Sequence, residues 1–224
     1  KSRPASFYIP EDAELITIGN LEDDIQLLSD CDWIVEVVVE ILDIKKDLLS
    51  KLEKVAKADA LVTTNTSGIS VAAMSQHLSA EFQSRILGTH FFNPPRYMKL
   101  FEIIPGPKTK PEYIEAMAEF AEKRLGKGVV FAKDTPNFIG NRVGVFSGAI
   151  TNKLMEEFDF QIEQVDALTG PVIGRPKMAT YRLADLVGLD IMGHVAENVY
   201  QNCPDDERLE VFKPAGWTTK MVEK

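Results

Sequence analysis

The strongest constraint on this chain is an alternation of β-branched runs with amphipathic helical stretches between Glu14 and Ala132. Glu14-Leu15-Ile16-Thr17-Ile18 reads as a strand closed by Gly19-Asn20, and Leu21, Ile25 and Leu28 then recur at helical spacing. Asp32 leads into Trp33 to Glu40, a run of the kind buried in parallel sheets. Asp43 reads as the cap of a helix with Ile44, Leu48, Leu52 and Val55 as its apolar stripe. Its lysines (Lys45, Lys46, Lys51, Lys54, Lys57) read by default as a solvated face. Ala60 to Thr64 is the next strand, and Asn65-Thr66-Ser67-Gly68 turns it into a helix around Val71 to Met74. Such an alternation predicts a parallel, doubly wound α/β sheet.

The next segment, His90 to Glu102, carries two short apolar runs on either side of Asn93-Pro94-Pro95-Arg96. These read as two strands joined by a proline-stiffened turn. If they pair as an antiparallel hairpin centred on Arg96, His90 and Glu102 fall opposite each other, with Cβ atoms about 4.5–5.5 Å apart. A carboxylate beside an imidazole fixes its tautomer and stabilises its protonated form, as a general base requires. Parallel pairing or a register slip would instead separate the two side chains.

Pro111 opens a further helix with Ile114, Met117, Ala121 and Leu125 on one face, ended by Gly126 or Gly128, and Val129 to Ala132 is a last strand. Asp134-Thr135-Pro136 marks a change of character. Beyond it Ile139, Val143, Phe146, Ile150 and Leu154 recur at helical spacing, and further helices follow near Ile162 to Leu168 and from Leu189 to Tyr200. The chain therefore divides into an α/β part, residues 1–134, and an all-α part, residues 135–224. Gly140, Gly144 and Gly148 share a face of the first helix of the second part. Each costs about 1 kcal/mol against alanine, and close approach of a neighbouring helix is the expected compensation.

Composition narrows the function classes. A net charge of -9 with no long basic run argues against nucleic acid or an anionic membrane as partner. No segment reaches a membrane span, and the distant cysteines Cys31 and Cys203 fit a reducing cytoplasm. Neither metal-ligand spacing, nor a G-x-S-x-G elbow, nor a phosphate-binding G-x-x-x-x-G-K-[ST] loop occurs. Ligands on open α/β sheets bind beyond the carboxyl ends of the strands. Glu40, Asn65-Thr66-Ser67, and His90 with Asn93 all fall there, although turn and cap chemistry would account for the Asn-Thr-Ser turn alone.

Together these residues carry a resemblance. Val35-Glu36-Val37-Val38-Val39-Glu40, Asn65-Thr66-Ser67, His90-Phe91-Phe92-Asn93-Pro94 with Met98 and Glu102, Asp134-Thr135-Pro136 with Phe138, Asn141-Arg142 and Leu183 to Asp190 are similar, in this order, to the L-3-hydroxyacyl-CoA dehydrogenase family of fatty-acid β-oxidation. Arg3 to Tyr8 and Gly174-Arg175-Pro176-Lys177 resemble the long bacterial multifunctional forms, which also hold a crotonase-like enoyl-CoA hydratase module. The resemblance implies a Rossmann-type domain followed by a helical domain, an NAD cofactor, an acyl-CoA substrate and oxidation of (3S)-3-hydroxyacyl-CoA to 3-oxoacyl-CoA. It places the acid–base histidine at His90, its partner glutamate at Glu102, and the residues holding the substrate's 3-oxygen at Ser67 and Asn141. Cofactor contacts fall on Glu40, Lys45, Asn93 and, shared with substrate, Ser67.

There are three departures from the family pattern. Ile41 stands where many relatives have Asn, and Asn137 where many have Gly. No G-x-G-x-x-G occurs in the 224 residues. The expectation is therefore a piece of a larger enzyme, lacking the first strand, the glycine turn and the second strand and ending inside the helical domain at Met221-Val222-Glu223-Lys224. By itself such a piece would neither bind NAD appreciably nor turn over. Its helices are expected to pack on a partner, either a second copy or the rest of the parent chain. The rival readings are a non-catalytic relative of the lens λ-crystallin kind and a short-chain 3-hydroxybutyryl-CoA dehydrogenase.

Overall fold

The computed structural model describes residue 5 and residues 7–213. Met221 to Lys224, and Arg3, Pro4 and Ser6 of the Arg3–Tyr8 motif, lie outside them. Two compact units meet in sequence between Thr135 and Pro136.

The first unit is built on a five-stranded sheet: β1 (Trp33–Glu36), β2 (Leu61–Thr64), β3 (Ile86–Phe91), β4 (Leu100–Pro105) and β5 (Gly128–Phe131), neighbours in that order. β1, β2 and β3 are parallel, β4 is antiparallel to β3, and β5 is parallel to β4. The sheet is thus parallel-dominated and Rossmann-like. Its described strands follow one another without the reversal of order that marks a topological switch point.

Side chains alternate across a strand, so the register sorts them into two faces. One face carries Leu61, Leu87, Phe101 and Ile103, which pack with Met117 and Ala121 of α4 (Pro111–Lys123). Removing each such side chain from water contributes about 1.5–3 kcal/mol. The other face carries Ile34, Val62, Ile86 and Ile104. Toward it lie α1 (Leu42–Val55) and α2 (Val71–Ser75), and α3 (Ala80–Gln83) precedes β3. Gly88 is required on this face because a Cβ there would meet the Ile104 Cβ at 3.0 Å and Val71 Cγ2 at 3.4 Å. Gly88→Val should therefore destabilise the unit by about 1–3 kcal/mol through overpacking. A denaturant midpoint equal to wild type would mean that α2 and β4 yield freely.

Several expectations are corrected. The run after Trp33 pairs only as far as Glu36, and Val37 and Val39 are exposed. Glu36 explains the exit from the sheet, because its carboxylate accepts the Val38 N–H at 2.6 Å and turns the chain. Helix α1 begins at Leu42 after Ile41 as N-cap, so Asp43 lies inside the first turn and acts on the helix dipole rather than as the cap. Its buried stripe is Lys45, Leu48, Leu49 and Leu52, with Ile44 exposed. Glu14 to Ile18 form no strand. A 3-10 turn spans Pro10–Leu15, Leu15 and Ile18 are exposed, and no described strand pairs with them. Ile25–Asp30 is likewise a 3-10 turn rather than part of a helix.

The second unit contains α5 (Gly140–Glu157), α6 (Ile162–Thr169), α7 (Tyr181–Val187) and α8 (Leu189–Asn202). Val145, Val199, Val211 and Phe212 form one of its core clusters, and Phe138, Val165, Ala179, Tyr181 and Ala184 are buried as well. Asn137 adopts φ 62°, a left-handed conformation that Asn tolerates better than most residues, and its side-chain amide donates to the Val195 carbonyl at 3.0 Å. The α5 stripe is largely left open among the described residues. Ile139, Val143, Phe146 and Leu154 are exposed, and the buried residue is Val145. The glycine face is open at two of its three positions: a Cβ at Gly144 would meet nothing within 4 Å, and one at Gly148 only the Met192 methyl at 3.9 Å. Among the described residues no helix is long and apolar enough to cross a membrane.

Candidate active site

β3 and β4 pair in the register His90↔Glu102, with Phe91↔Phe101 beside them. The His90 Nδ1 and Glu102 Oε2 lie 2.7 Å apart, and the residues are 3% and 0% exposed. Burial removes competing water from the pair, so the carboxylate holds the ring's tautomer firmly. The Phe92 ring meets the imidazole edge-on at 4.5 Å between centroids.

By the same alternation, Glu36, Thr64, His90 and Glu102 all project from one face of the sheet. The turn after β2 is bound to its neighbours on both sides. Asn65 Oδ1 accepts the Phe91 N–H at 2.9 Å, which ties the turn to the residue following His90. Glu40 Oε1 accepts the Ser67 N–H at 3.0 Å and the Thr66 hydroxyl. Ser67 itself is exposed on the turn. For Glu40, burial pushes the carboxyl upward, but hydrogen bonds from Thr66 and Lys45, the Lys45 charge and the Ser67 N–H together hold it below its usual value of 4.5. Its hold on the turn is therefore complete at neutral pH and is lost as pH falls through that lowered value.

Lys45 is not part of a solvated face. Only 1% exposed, its ammonium donates to Glu36 Oε1 at 2.9 Å and Oε2 at 3.0 Å and to the Val38 carbonyl at 3.2 Å, and sits 3.1 Å from Glu40 Oε2. It bears on the site through Glu40. Asn93 is exposed in the tip joining β3 and β4, next to a cis peptide bond at Asn93–Pro94. Lys127 anchors the tip by donating to the carbonyls of Pro95 and, at 2.7 Å, Met98, while Arg96 donates to the Phe7 carbonyl at 2.7 Å. Asn141 lies in the first turn of α5, in the helical unit. Glu36 and Thr66 entered the sequence reading only as members of longer motifs and Thr64 only as part of a strand, none with a role of its own. The available signal was a carboxylate interrupting the apolar run of β1.

A Rossmann-like sheet whose carboxyl ends gather Glu40, the Ser67 turn and a buried His–Glu pair defines an α/β protein of the class that binds its ligands beyond the strand ends. The family model for "3-hydroxyacyl-CoA dehydrogenase, NAD binding domain" matches residues 6–135, and that for the "C-terminal domain" matches residues 138–224. The chain is 48% identical over its whole length to a "Probable 3-hydroxyacyl-CoA dehydrogenase" of Bacillus subtilis, of which it covers 28%. It is 37% identical to a "Putative fatty acid oxidation complex trifunctional enzyme" of Rickettsia felis, again over its whole length and 31% of that protein. The 3-hydroxybutyryl-CoA dehydrogenase of Escherichia coli K12 superposes with a TM-score of 0.79 at 32% identity, over 89% of this chain and 41% of that one. The chain belongs to the 3-hydroxyacyl-CoA dehydrogenase family, and it spans less than a third of the two curated relatives just named.

The residues present fit one part of an NAD molecule. Polar groups gather at the carboxyl ends of β1, β2 and β3, where Glu40 keeps its charge at neutral pH and Ser67 and Asn93 are exposed. The glycine turn that cradles a diphosphate is not among the 224 residues.

Proposed function

We propose that this chain is part of an NAD-dependent enzyme that oxidises (3S)-3-hydroxyacyl-CoA to 3-oxoacyl-CoA in fatty-acid β-oxidation. The observation that carries this reading is the buried His90–Glu102 pair beside the Ser67 turn. His90 takes the proton of the substrate's 3-hydroxyl at Nε2 while Glu102, at Nδ1, stabilises the imidazolium that forms. NAD, when bound, supplies the acceptor for the hydride leaving C3. Ser67 holds the 3-oxygen, and Glu40 and Asn93 face the cofactor, with Lys45 supporting Glu40 from beneath. Asn141 enters on its motif match alone. In the reducing direction His90 returns the proton.

Acyl length separates this reading from a short-chain 3-hydroxybutyryl-CoA enzyme. Rates of NADH oxidation by the full-length protein with 3-oxoacyl-CoA substrates of four to sixteen carbons (about the β-oxidation range) should stay substantial beyond the shortest. A rate confined to acetoacetyl-CoA would assign the short-chain activity, and a folded protein silent with every substrate would assign a non-catalytic role.

The name of the Rickettsia felis relative supports a fused partner module, such as an enoyl-CoA hydratase, in the full-length protein. The exposed stripe and open glycine face of α5 favour a homodimer through the helical unit. Light scattering of the full-length protein should give twice the chain mass, and Val143→Glu, at a residue 63% exposed, should shift it toward monomer. A wild-type monomer would remove the dimer from the account.

A further inference from the structure

Five residues beneath the Ser67 turn form a closed ring, through their side chains and one backbone amide. Lys45 donates to Glu36, and the Thr64 hydroxyl donates to Glu36 Oε2 at 2.6 Å. Thr64 Oγ1 in turn accepts the Thr66 N–H at 3.2 Å, the Thr66 hydroxyl donates to Glu40 Oε1, and Lys45 closes the circuit at Glu40 Oε2. The direction of every bond is fixed. An ionised carboxylate can only accept, so Thr64 and Thr66 must spend their hydroxyl protons on Glu36 and Glu40. That leaves the Thr66 oxygen as acceptor for the Ile69 N–H at 3.0 Å and the Gly68 N–H at 3.4 Å. The ring members other than Glu40 are at most 2% exposed, so solvent reaches the ring only at Glu40, whose side chain is 45% exposed.

We propose that this ring is a positioning device for Ser67 and that Thr66 is the positioning residue at its centre, an inference that rests on the dehydrogenase reading above. Thr66 is a side chain that joins the loop after β1, through Glu40, to the backbone of the turn just after Ser67. Its hydroxyl fixes the amides of residues 68 and 69 while the Glu40 it holds fixes the amide of Ser67. Asn65 fixes the same turn against Phe91, so the backbone that carries the exposed Ser67 is held at both ends. Such preorganisation matters because a misplacement of about 1 Å in a reacting group can cost about 10²-fold in rate.

The test compares Thr66→Val, which keeps shape and removes the hydroxyl, with Thr66→Ser, which keeps the hydroxyl. Both are measured in the full-length enzyme with NADH and acetoacetyl-CoA, alongside amide hydrogen exchange. Thr66→Val should lower kcat by about 10- to 100-fold with KM values changed by less than about threefold, and Thr66→Ser should recover kcat to within about threefold of wild type. In Thr66→Val the Ser67 and Ile69 amides should also exchange about tenfold faster or more. A Thr66→Val enzyme with wild-type kcat, or a Thr66→Ser enzyme impaired as severely, would overturn the proposal. Should the wild type show no turnover at all, the dehydrogenase reading fails separately. The exchange measurement then decides the ring: faster Ser67 and Ile69 exchange sustains it, and unchanged protection overturns it.

Discussion

His90→Asn in the full-length enzyme is expected to lower kcat by about 10²–10⁴-fold, the usual contribution of a positioned acid–base group. Asparagine fills much of the imidazole's space and can still hydrogen-bond Glu102, so the β3–β4 pairing should survive. What it cannot do is accept the 3-hydroxyl proton. KM for NADH should change little, since Glu40, Ser67 and Asn93 are untouched. Glu102→Gln should produce a smaller fall in kcat, because the ring keeps a hydrogen-bonding neighbour but loses the negative charge that stabilises imidazolium. Equal losses in the two variants would point to a structural pair rather than to a base and its support. A His90→Asn enzyme that folds normally and turns over at the wild-type rate would remove His90 from the chemistry.

The largest effect on stability should come from Glu36→Leu, at about 3–5 kcal/mol, the cost of breaking a buried ion pair by removing one partner. Glu36 and Lys45 have side chains 0% and 1% exposed. Removing the carboxylate leaves the ammonium with the partly exposed Glu40 as its remaining ion-pair partner, and takes the acceptor from the Thr64 hydroxyl and the Val38 N–H. Glu36→Gln should cost less, because an amide oxygen still accepts. The double variant Glu36→Leu/Lys45→Met should regain most of the loss, since an apolar pair of similar volume replaces a buried ion pair at little net cost. Denaturant unfolding of the set measures this. If the double variant were as unstable as the sum of the singles, the cost would lie in packing and not in a stranded charge.

The hairpin could be read from sequence because its chemistry lies within one local unit. His90 and Glu102 are equidistant from the centre of the turn, and antiparallel pairing converts that symmetry into contact. Lys45 was harder to read. A lysine on an amphipathic helix ordinarily faces water, and the partner that buries it, Glu36, lies on a strand, so only the packing of α1 on the sheet brings them together. Glu14 to Ile18 failed for the complementary reason: β-branched residues favour a strand only where another strand offers hydrogen bonds, and none of the described strands does. Periodicity likewise located α5 but not its buried side. Ile139, Val143, Phe146 and Leu154 of the apolar stripe are exposed, while Ile150 packs beside Val145 against the cluster of Val199 and Phe212. The period of a helix gives its amphipathic faces; which one is covered depends on what packs there.

The most direct measurement of the central claim follows the hydride itself. The full-length protein is incubated with acetoacetyl-CoA and NADH carrying deuterium at the transferable position of C4, and the product is analysed by mass spectrometry. The account predicts a 3-hydroxyacyl-CoA labelled with deuterium at C3, formed by the wild type and reduced about 10²-fold or more in rate in His90→Asn. A folded wild-type protein that yields no labelled product, or a His90→Asn variant that labels at the wild-type rate, would contradict it.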